Sequence, residues 1–503
     1  MGCEELGVAA CRTASPFWRG QAERGQAMGA RTGRDYVEGL RDGRRVYHAG
    51  QRIADVTTHP GFTGTIRTLA RLYDQQHDPA YADLMTTAWE GDRISWSYVP
   101  AVTPADLLAK RRNIELWSDA TLGHMGRFPD FCAELTAGLL DAAEALGAAD
   151  PRFAANARNY HRYAAQRDLC LTHALNDQFY DRTRHASAQD DPDLILHVVR
   201  ETDRGPIVRG LRNLATLAPI ADECLVYPNR PRAEGELDYA ITFAIPMDAP
   251  GLSVICRDLY AAHADPDRLP LTARFDEVDA TLIFDDVLVP WERVFVYRDV
   301  RLASGFHRAI NLWGTYTTLV RLISRLEAFV GVAELLTQWS KRAPLPATQV
   351  MMGRLLEDLQ LLRACVRAGE ADAQLTPRGY LVPRLGEAAR LHSIAASDRA
   401  FRLLQDLLTS YLMLTGGPSD LANPEIGPYV ERYFRGGAPT TRDHLRILAV
   451  AADMVQSAFG VRQQLYERFQ SGEPDNTRLR LYHNYDRAAL ADRMLRFVRE
   501  EWE

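Results

Sequence analysis

A β-rich stretch in mid-chain, Val198 to Tyr227, constrains the fold more than any other part of this sequence. Its apolar runs are Ile207-Val208, Leu214 to Leu217 and Cys224 to Tyr227, set off by charged turns such as Glu201 to Gly205. Apolar runs bounded by Gly and Asp are strand signals. Further strand-like runs follow at Tyr239 to Ile245, Leu252 to Cys256 and Ala280 to Phe284. On either side the apolar spacing is helical. A small β layer between helical blocks is neither a βαβ alternation nor a solenoid. It points to a group held where the layers meet.

Ahead of that layer, Asp35 to Arg41 reads as a short helix. Arg45 to His48 and Arg52 to Val56 flank Ala49-Gly50 as a hairpin. A helix through Leu69 to Tyr73 follows His59-Pro60, and Ile94 to Val99 is extended. Thr103, Pro104 and Asp106 form a helix start. Gly123 to Asp130 then interrupts the helical pattern. Its glycines and proline predict a loop that lets backbone approach something closely. Helices resume over 131–146 and 153–167. Beyond Arg298, amphipathic segments near 305–340, 347–374, 386–415 and 440–470 predict an antiparallel four-helix bundle. The reading divides the chain into a loose extension (1–30), a helical domain (31–180), a β domain (181–300), the bundle (301–480) and a tail (481–503).

Composition bears mainly on what the chain does not do. The 503 residues suffice for about three domains. A net charge of −7 offers no basic excess for nucleic acid or a membrane surface. Seven scattered cysteines without CxxC spacing argue against a disulfide framework or a zinc site and for a reducing cytoplasm. No apolar run approaches the roughly 18 residues of a membrane span.

Several motifs carry a family resemblance. Asp42-Gly-Arg44, Asp55 to Pro60, Met125-Gly-Arg-Phe-Pro-Asp130, Arg200 to Asp203, Phe275-Asp-Glu277, Val289-Pro-Trp-Glu292, Tyr297-Arg-Asp299, Asn423-Pro424 and Phe459-Gly-Val-Arg462 are the residues concerned. Together they resemble the oxygenase components of the 4-hydroxyphenylacetate 3-monooxygenase family. The resemblance implies a mostly α, acyl-CoA dehydrogenase-like fold with a central β domain, usually assembled as a homotetramer. It implies FAD, supplied as FADH2 by a separate NADH:flavin reductase. O2 as co-substrate then forms a C4a-hydroperoxyflavin that hydroxylates a phenol ortho to its hydroxyl. The sequence has no G-x-G-x-x-G after a strand, in keeping with reduction from outside.

By the same resemblance, Arg127 lies at the substrate, where a guanidinium holds a phenolate or acidic group. His173 touches flavin and substrate and, near pKa 6.5, could take a phenolic proton or hydrogen-bond the hydroperoxide. The residues alone also admit a helix-capping Arg127 and a core His173. Phe131 departs from the Tyr of the hydroxyphenylacetate enzymes, which favours a less polar or bulkier phenol, or else reflects packing only. Asn229 is a further substrate contact, and the Arg257 to Arg274 loop is expected over the substrate. The flavin is expected along His173-Ala174-Leu175 and Phe179-Tyr180-Asp181-Arg182, with Thr216 beside its N5. Gly460, Val461, Arg462 and Gln463 are expected at its phosphates. Composition and residue choice lean toward natural-product tailoring of a phenol or hydroxypyridine, with catabolic 4-hydroxyphenylacetate hydroxylation as the alternative. The dehydratases of this fold need clustered cysteines, and Cys132 stands alone; dehydrogenases need a catalytic carboxylate over a CoA groove. A helical scaffold would need no flavin.

Overall fold

A computed structural model describes residues 29–414, 416–470 and 472–501. The expected extension therefore lies outside the described residues apart from Gly29 and Ala30. The chain opens with α1 (Gly33–Gly39), started by a Thr32/Asp35 capping box. The hairpin of β1 (Val46–His48) and β2 (Gln51–Ile53) turns on Ala49 (φ 49°) and Gly50 (φ 77°), the left-handed pair that a two-residue turn requires. Helices α2 (Pro60–Gln75), α3 (Pro104–Asp119), α4 (Pro129–Leu146) and α5 (Pro151–Arg167) follow, each with proline in its first turn.

The β layer comprises β3 (Leu171–Ala174), β4 (His197–Thr202), β5 (Gly205–Thr216), β6 (Glu223–Val226), β7 (Ile241–Pro246), β8 (Leu252–Cys256), β9 (Asp279–Leu288) and β10 (Val294–Tyr297). Leu214 to Leu217 is not a separate strand. Leu214 to Thr216 finishes β5, Leu217 (φ 68°) turns out of it, and Leu214 (φ 58°) stands out 55% exposed. The strands form two sheets, ordered β2-β1-β8-β9-β5-β4 and β10-β7-β6-β3. Both recruit strands from ahead of residue 181: β1 pairs with β8 in parallel, and β3 pairs with β6 in parallel. Parallel partners must be brought together by long connections, which local patterning does not reveal.

Alternation divides the small sheet between two cores. Leu225, Tyr227, Ala244 and Phe295 face Phe131 and Phe306 on the helical side. Cys224, Val226, Phe243 and Ile245 face the larger core shared with the bundle.

The C-terminal segments are more divided than their periodicity predicts. The expected helix near 305–340 is α6 (Val300–Ile310) and α7 (Gly314–Trp339). In the break between them Trp313 is buried and its indole N–H donates to the Leu381 carbonyl at 3.1 Å. Helices α8 (Pro346–Ala371) and α9 (Glu387–Leu408) follow. The last expected segment splits into α10 (Thr441–Val455) and α11 (Ala458–Phe469) at Ser457, whose hydroxyl caps the Gly460 N–H at 2.9 Å. The predicted tail is largely helical, in α12 (Pro474–Asn484) and α13 (Arg487–Glu501).

Candidate active site

The Gly123–Phe128 loop between α3 and α4 is the hinge of the site. Its glycines approach other backbone and rings closely, as the sequence predicts. A Cβ on Gly123 would lie 2.4 Å from the Arg325 nitrogen on α7, and one on Gly126 would lie 2.2 Å from the Tyr466 ring on α11. A buried carboxylate holds the loop from below: Glu277 Oε2 accepts the N–H groups of Gly126 at 2.8 Å and Arg127 at 3.0 Å. Its other oxygen accepts from Gln463 at 3.3 Å and from Arg462. Arg462 also donates to Asp279, with Nε at 2.8 Å. Burial alone would raise the Asp279 carboxyl, but Arg462 and Arg257 hold it below its ordinary value.

Three of the predicted residues meet above this loop. The Arg127 guanidinium lies 4.1 Å from the Phe131 ring centroid and 5.1 Å from that of Tyr466. It also donates to the Tyr466 hydroxyl, which itself donates to the Gly126 carbonyl at 2.9 Å. Phe131 meets His173 edge to face at 5.6 Å. His173 is 4% exposed, on the helix-facing side of β3. Its Nδ1 lies 2.6 Å from the Tyr227 hydroxyl. Burial, then Arg127 and His307, push its pKa well below the ordinary histidine value. That shift favours the neutral ring over the ordinary imidazole expected from the sequence.

Thr216, at the end of β5, donates its hydroxyl to Asp279 at 2.7 Å, and its carbonyl accepts from Thr172. Ala174 ends β3, and the stretch from Leu175 to Arg182 is an irregular loop after it. Asp177 within it is buried between Arg212 and Arg232. Phe179 lies under Arg230 at 4.7 Å, Tyr180 is 76% exposed, and Asp181 accepts from the Thr183 N–H at 2.9 Å. Asn229 is tied to this loop, donating its N–H to the Leu175 carbonyl at 3.1 Å and its amide to Asn176.

The residues expected at the flavin phosphates, 460–463, are largely engaged within the chain itself. A Cβ on Gly460 would meet the Asp453 carbonyl at 2.4 Å, so this glycine serves the joint between α10 and α11. Arg462 is spent on Glu277 and Asp279, Gln463 is buried beside them, and only Val461, 46% exposed, faces outward. The 257–274 loop is anchored on the bundle, with the Leu271 and Thr272 N–H groups donating to Asp453 at 2.7 and 2.8 Å.

Sequence reasoning missed Tyr466, Glu277 as the loop acceptor, Tyr227 and His307. Tyr466 follows Arg462 at helical i, i+4 spacing, and Tyr227 shares strand parity with Leu225; those two signals were available. Glu277 stood in a quoted motif without a role. His307, on α6, lies 3.3 Å through Nδ1 from the Tyr227 hydroxyl, and its pKa is depressed to about 4 by burial and Arg127. Nothing local marked it.

Cavities of about 350 Å³ (around Trp89, His161 and Tyr380) and 460 Å³ (around Trp339, Lys341 and His444) lie away from these residues. Among the described residues, no His/Cys/Asp/Glu group of three or more is arranged to hold a metal ion, and no helix is long and apolar enough to cross a membrane.

The family described as 4-hydroxyphenylacetate 3-hydroxylase N terminal matches residues 32–296, and its C-terminal counterpart matches 305–499. The chain is 35% identical to the 4-hydroxyphenylacetate 3-monooxygenase oxygenase component of Thermus thermophilus, covering 94% of this chain and 98% of that protein. It is 36% identical to a pyoverdin chromophore biosynthetic protein of Pseudomonas aeruginosa, over 89% and 90% of the two chains. A Streptomyces globisporus monooxygenase acting on a carrier-protein-bound 3-amino-3-(3-chloro-4-hydroxyphenyl)propanoyl group is 34% identical, over 97% and 92%. Among solved structures, a 4-hydroxyphenylacetate 3-monooxygenase oxygenase component complexed with FAD and 4-hydroxyphenylacetate superimposes with a TM-score of 0.89 at 35% identity, covering 94% of this chain and 99% of that one. A 4-hydroxybutyryl-CoA dehydratase at 20% identity and a TM-score of 0.85 shares the fold alone. With both family regions matched in order across nearly the whole described chain, this protein belongs to the 4-hydroxyphenylacetate 3-hydroxylase family.

Proposed function

We propose that this chain is the oxygenase component of a two-component aromatic hydroxylase. It uses FADH2 made by a separate NADH:flavin reductase and acts on a phenolic natural-product intermediate. The observation that carries the reading is the contiguous packing of Arg127, on one braced loop, with Phe131 and His173 in a chain of this family. Reduced FAD, when bound, activates O2 and supplies the oxygen atom inserted ortho to the phenol. The protein holds it along His173 to Leu175, Phe179 to Arg182 and Thr216. Thr216 fits a reduced flavin: its hydroxyl hydrogen is committed to Asp279, so it offers a lone pair, the partner an N5–H requires.

Arg127 holds the phenolate or an acidic substituent of the substrate, stiffened by the rings on either side. His173, neutral, orients the substrate oxygen by hydrogen bonding. Phe131 supplies an apolar wall where a tyrosine would put a hydroxyl. That wall, with relatives acting in pyoverdin and carrier-protein chemistry, supports a natural-product phenol over 4-hydroxyphenylacetate.

Four copies, as a dimer of dimers in the cytoplasm, complete the reading. An exposed apolar stripe on α11 supports assembly: Val461, Leu465 and Phe469 are 46%, 53% and 45% exposed at i, i+4, i+8 spacing. The same holds for Leu490, Met494 and Val498 on α13.

The test is a phenol panel with FADH2 from any flavin reductase, reading hydroxylated product against released peroxide. Hydroxylation of a larger phenol with only peroxide from 4-hydroxyphenylacetate is the expected result. Efficient 4-hydroxyphenylacetate turnover would overturn the substrate reading, and failure to bind FADH2 would overturn the whole.

A further inference from the structure

One phenol hydroxyl stands between two imidazoles at the site. Tyr227 is fully buried, with its oxygen 2.6 Å from His173 Nδ1 and 3.3 Å from His307 Nδ1. The Tyr227 and His307 rings stack at 5.7 Å. A hydroxyl has a single hydrogen, so it can donate to one of these nitrogens only and must accept from the other. The two histidines, both neutral, therefore cannot share a tautomer.

Asn311 chooses between the two arrangements. Its Nδ2 lies 3.5 Å from His307 Nε2. Its Oδ1 is buried without a hydrogen-bond partner and lies against Gly314, where a Cβ would meet it at 1.8 Å. Gly314 is the first residue of α7, where the positive end of the helix dipole favours oxygen over an amide NH2. With Oδ1 kept there, the amide N–H donates to His307 Nε2. His307 Nδ1–H then donates to Tyr227, and the Tyr227 hydroxyl donates to His173 Nδ1. His173 is left with its proton on Nε2, which has no protein partner among the described residues.

We propose that Asn311, His307 and Tyr227 are positioning residues that hold His173 as its Nε2–H tautomer, so that it offers the substrate or flavin a hydrogen-bond donor and not a base. The meaning for catalysis rests on the hydroxylase reading above; the relay does not.

The test is long-range 15N–1H correlation on the full-length, histidine-15N-labelled protein without flavin, with His173 and His307 assigned by loss of their signals in His173→Gln and His307→Gln. The expected pattern is Nε2–H at His173 together with Nδ1–H at His307, the form a free imidazole disfavours. In Tyr227→Phe the His173 Nδ1 resonance is expected to shift as its donor is lost, while His307, still accepting from Asn311 at Nε2, keeps its Nδ1–H. Nδ1–H at His173, or the same tautomer at both rings, overturns the proposal. The wild-type spectrum decides this even where Tyr227→Phe does not fold. A correct tautomer pattern in a protein that fails to bind FADH2 or hydroxylate any phenol would sink the hydroxylase reading and leave the relay intact.

Discussion

The two sides of the Gly123–Phe128 loop are held by different physics. Beneath it lie opposed charges, with Glu277 and Asp279 facing Arg462, and the loop N–H groups bound to a carboxylate. Above it lie neutral rings, Phe131, His173, Tyr227 and His307, with both histidines depressed by burial. Charge-assisted bonds are the stronger anchors and suit backbone that must not move. A neutral hydrogen-bond chain suits a side chain whose proton must sit on one chosen atom. The molecule thus separates the job of bracing the loop from that of presenting a donor.

The largest effect should come from breaking the charged side. Glu277→Ala leaves Arg462 half-paired and two loop N–H groups without an acceptor, at a cost of about 3–5 kcal/mol in denaturant unfolding. A loss below about 1 kcal/mol would mean that Asp279 alone carries the guanidinium and that the comparison is misdrawn.

The neutral side should register in rate before stability. His173→Ala removes a single donor, and hydroxylation should fall about 10²–10³-fold with product measured under excess FADH2. Because the His173 pKa lies well below its ordinary value, the wild-type rate should show no limb near pH 6–7 from this residue. Such a limb, lost in His173→Ala, would restore the base.

Asp130 lies where the two sides meet, buried at the start of α4, and burial pushes its carboxyl up to about 7. A carboxyl with a folded pKa above its unfolded value is protonated preferentially in the native state. Stability should therefore fall as pH rises from about 4 to 7, by at most about 4 kcal/mol from this group. Asp130→Asn should flatten that slope in unfolding measured across the range. Glu134, also pushed up to about 7 by burial despite Lys110, keeps a remainder.

The smallest effect is Phe131→Tyr. The added hydroxyl enters a site 4% exposed, costing about 1–3 kcal/mol if it finds no partner. Gain of 4-hydroxyphenylacetate turnover would sharpen the neutral side into a specificity wall; unchanged selectivity would reduce Phe131 to packing.

Much of this was legible in the chain. Thr103 and Asp106 marked the start of α3, and Ala49-Gly50 marked the hairpin, because capping and turn chemistry act over a few residues. Arg127, Phe131 and His173 were named in advance and lie in contact. The pairing of Arg462 with Glu277 and Asp279 was not foreseen, because charge on a helix face does not say whether the partner is a phosphate or the chain's own carboxylates.

What the sequence determined by itself is the order of the layers, most element positions and the family, since these rest on local periodicity and motif spacing. Only the tertiary structure decided which strands lie parallel, that Glu277 catches a loop 150 residues before it, and that Tyr227 stands between histidines 54 and 80 residues away. Those contacts join segments whose local preferences are satisfied with or without each other. They exist because packing two cores against one sheet buries polar atoms that are stabilised by whichever partner the other segments bring within reach.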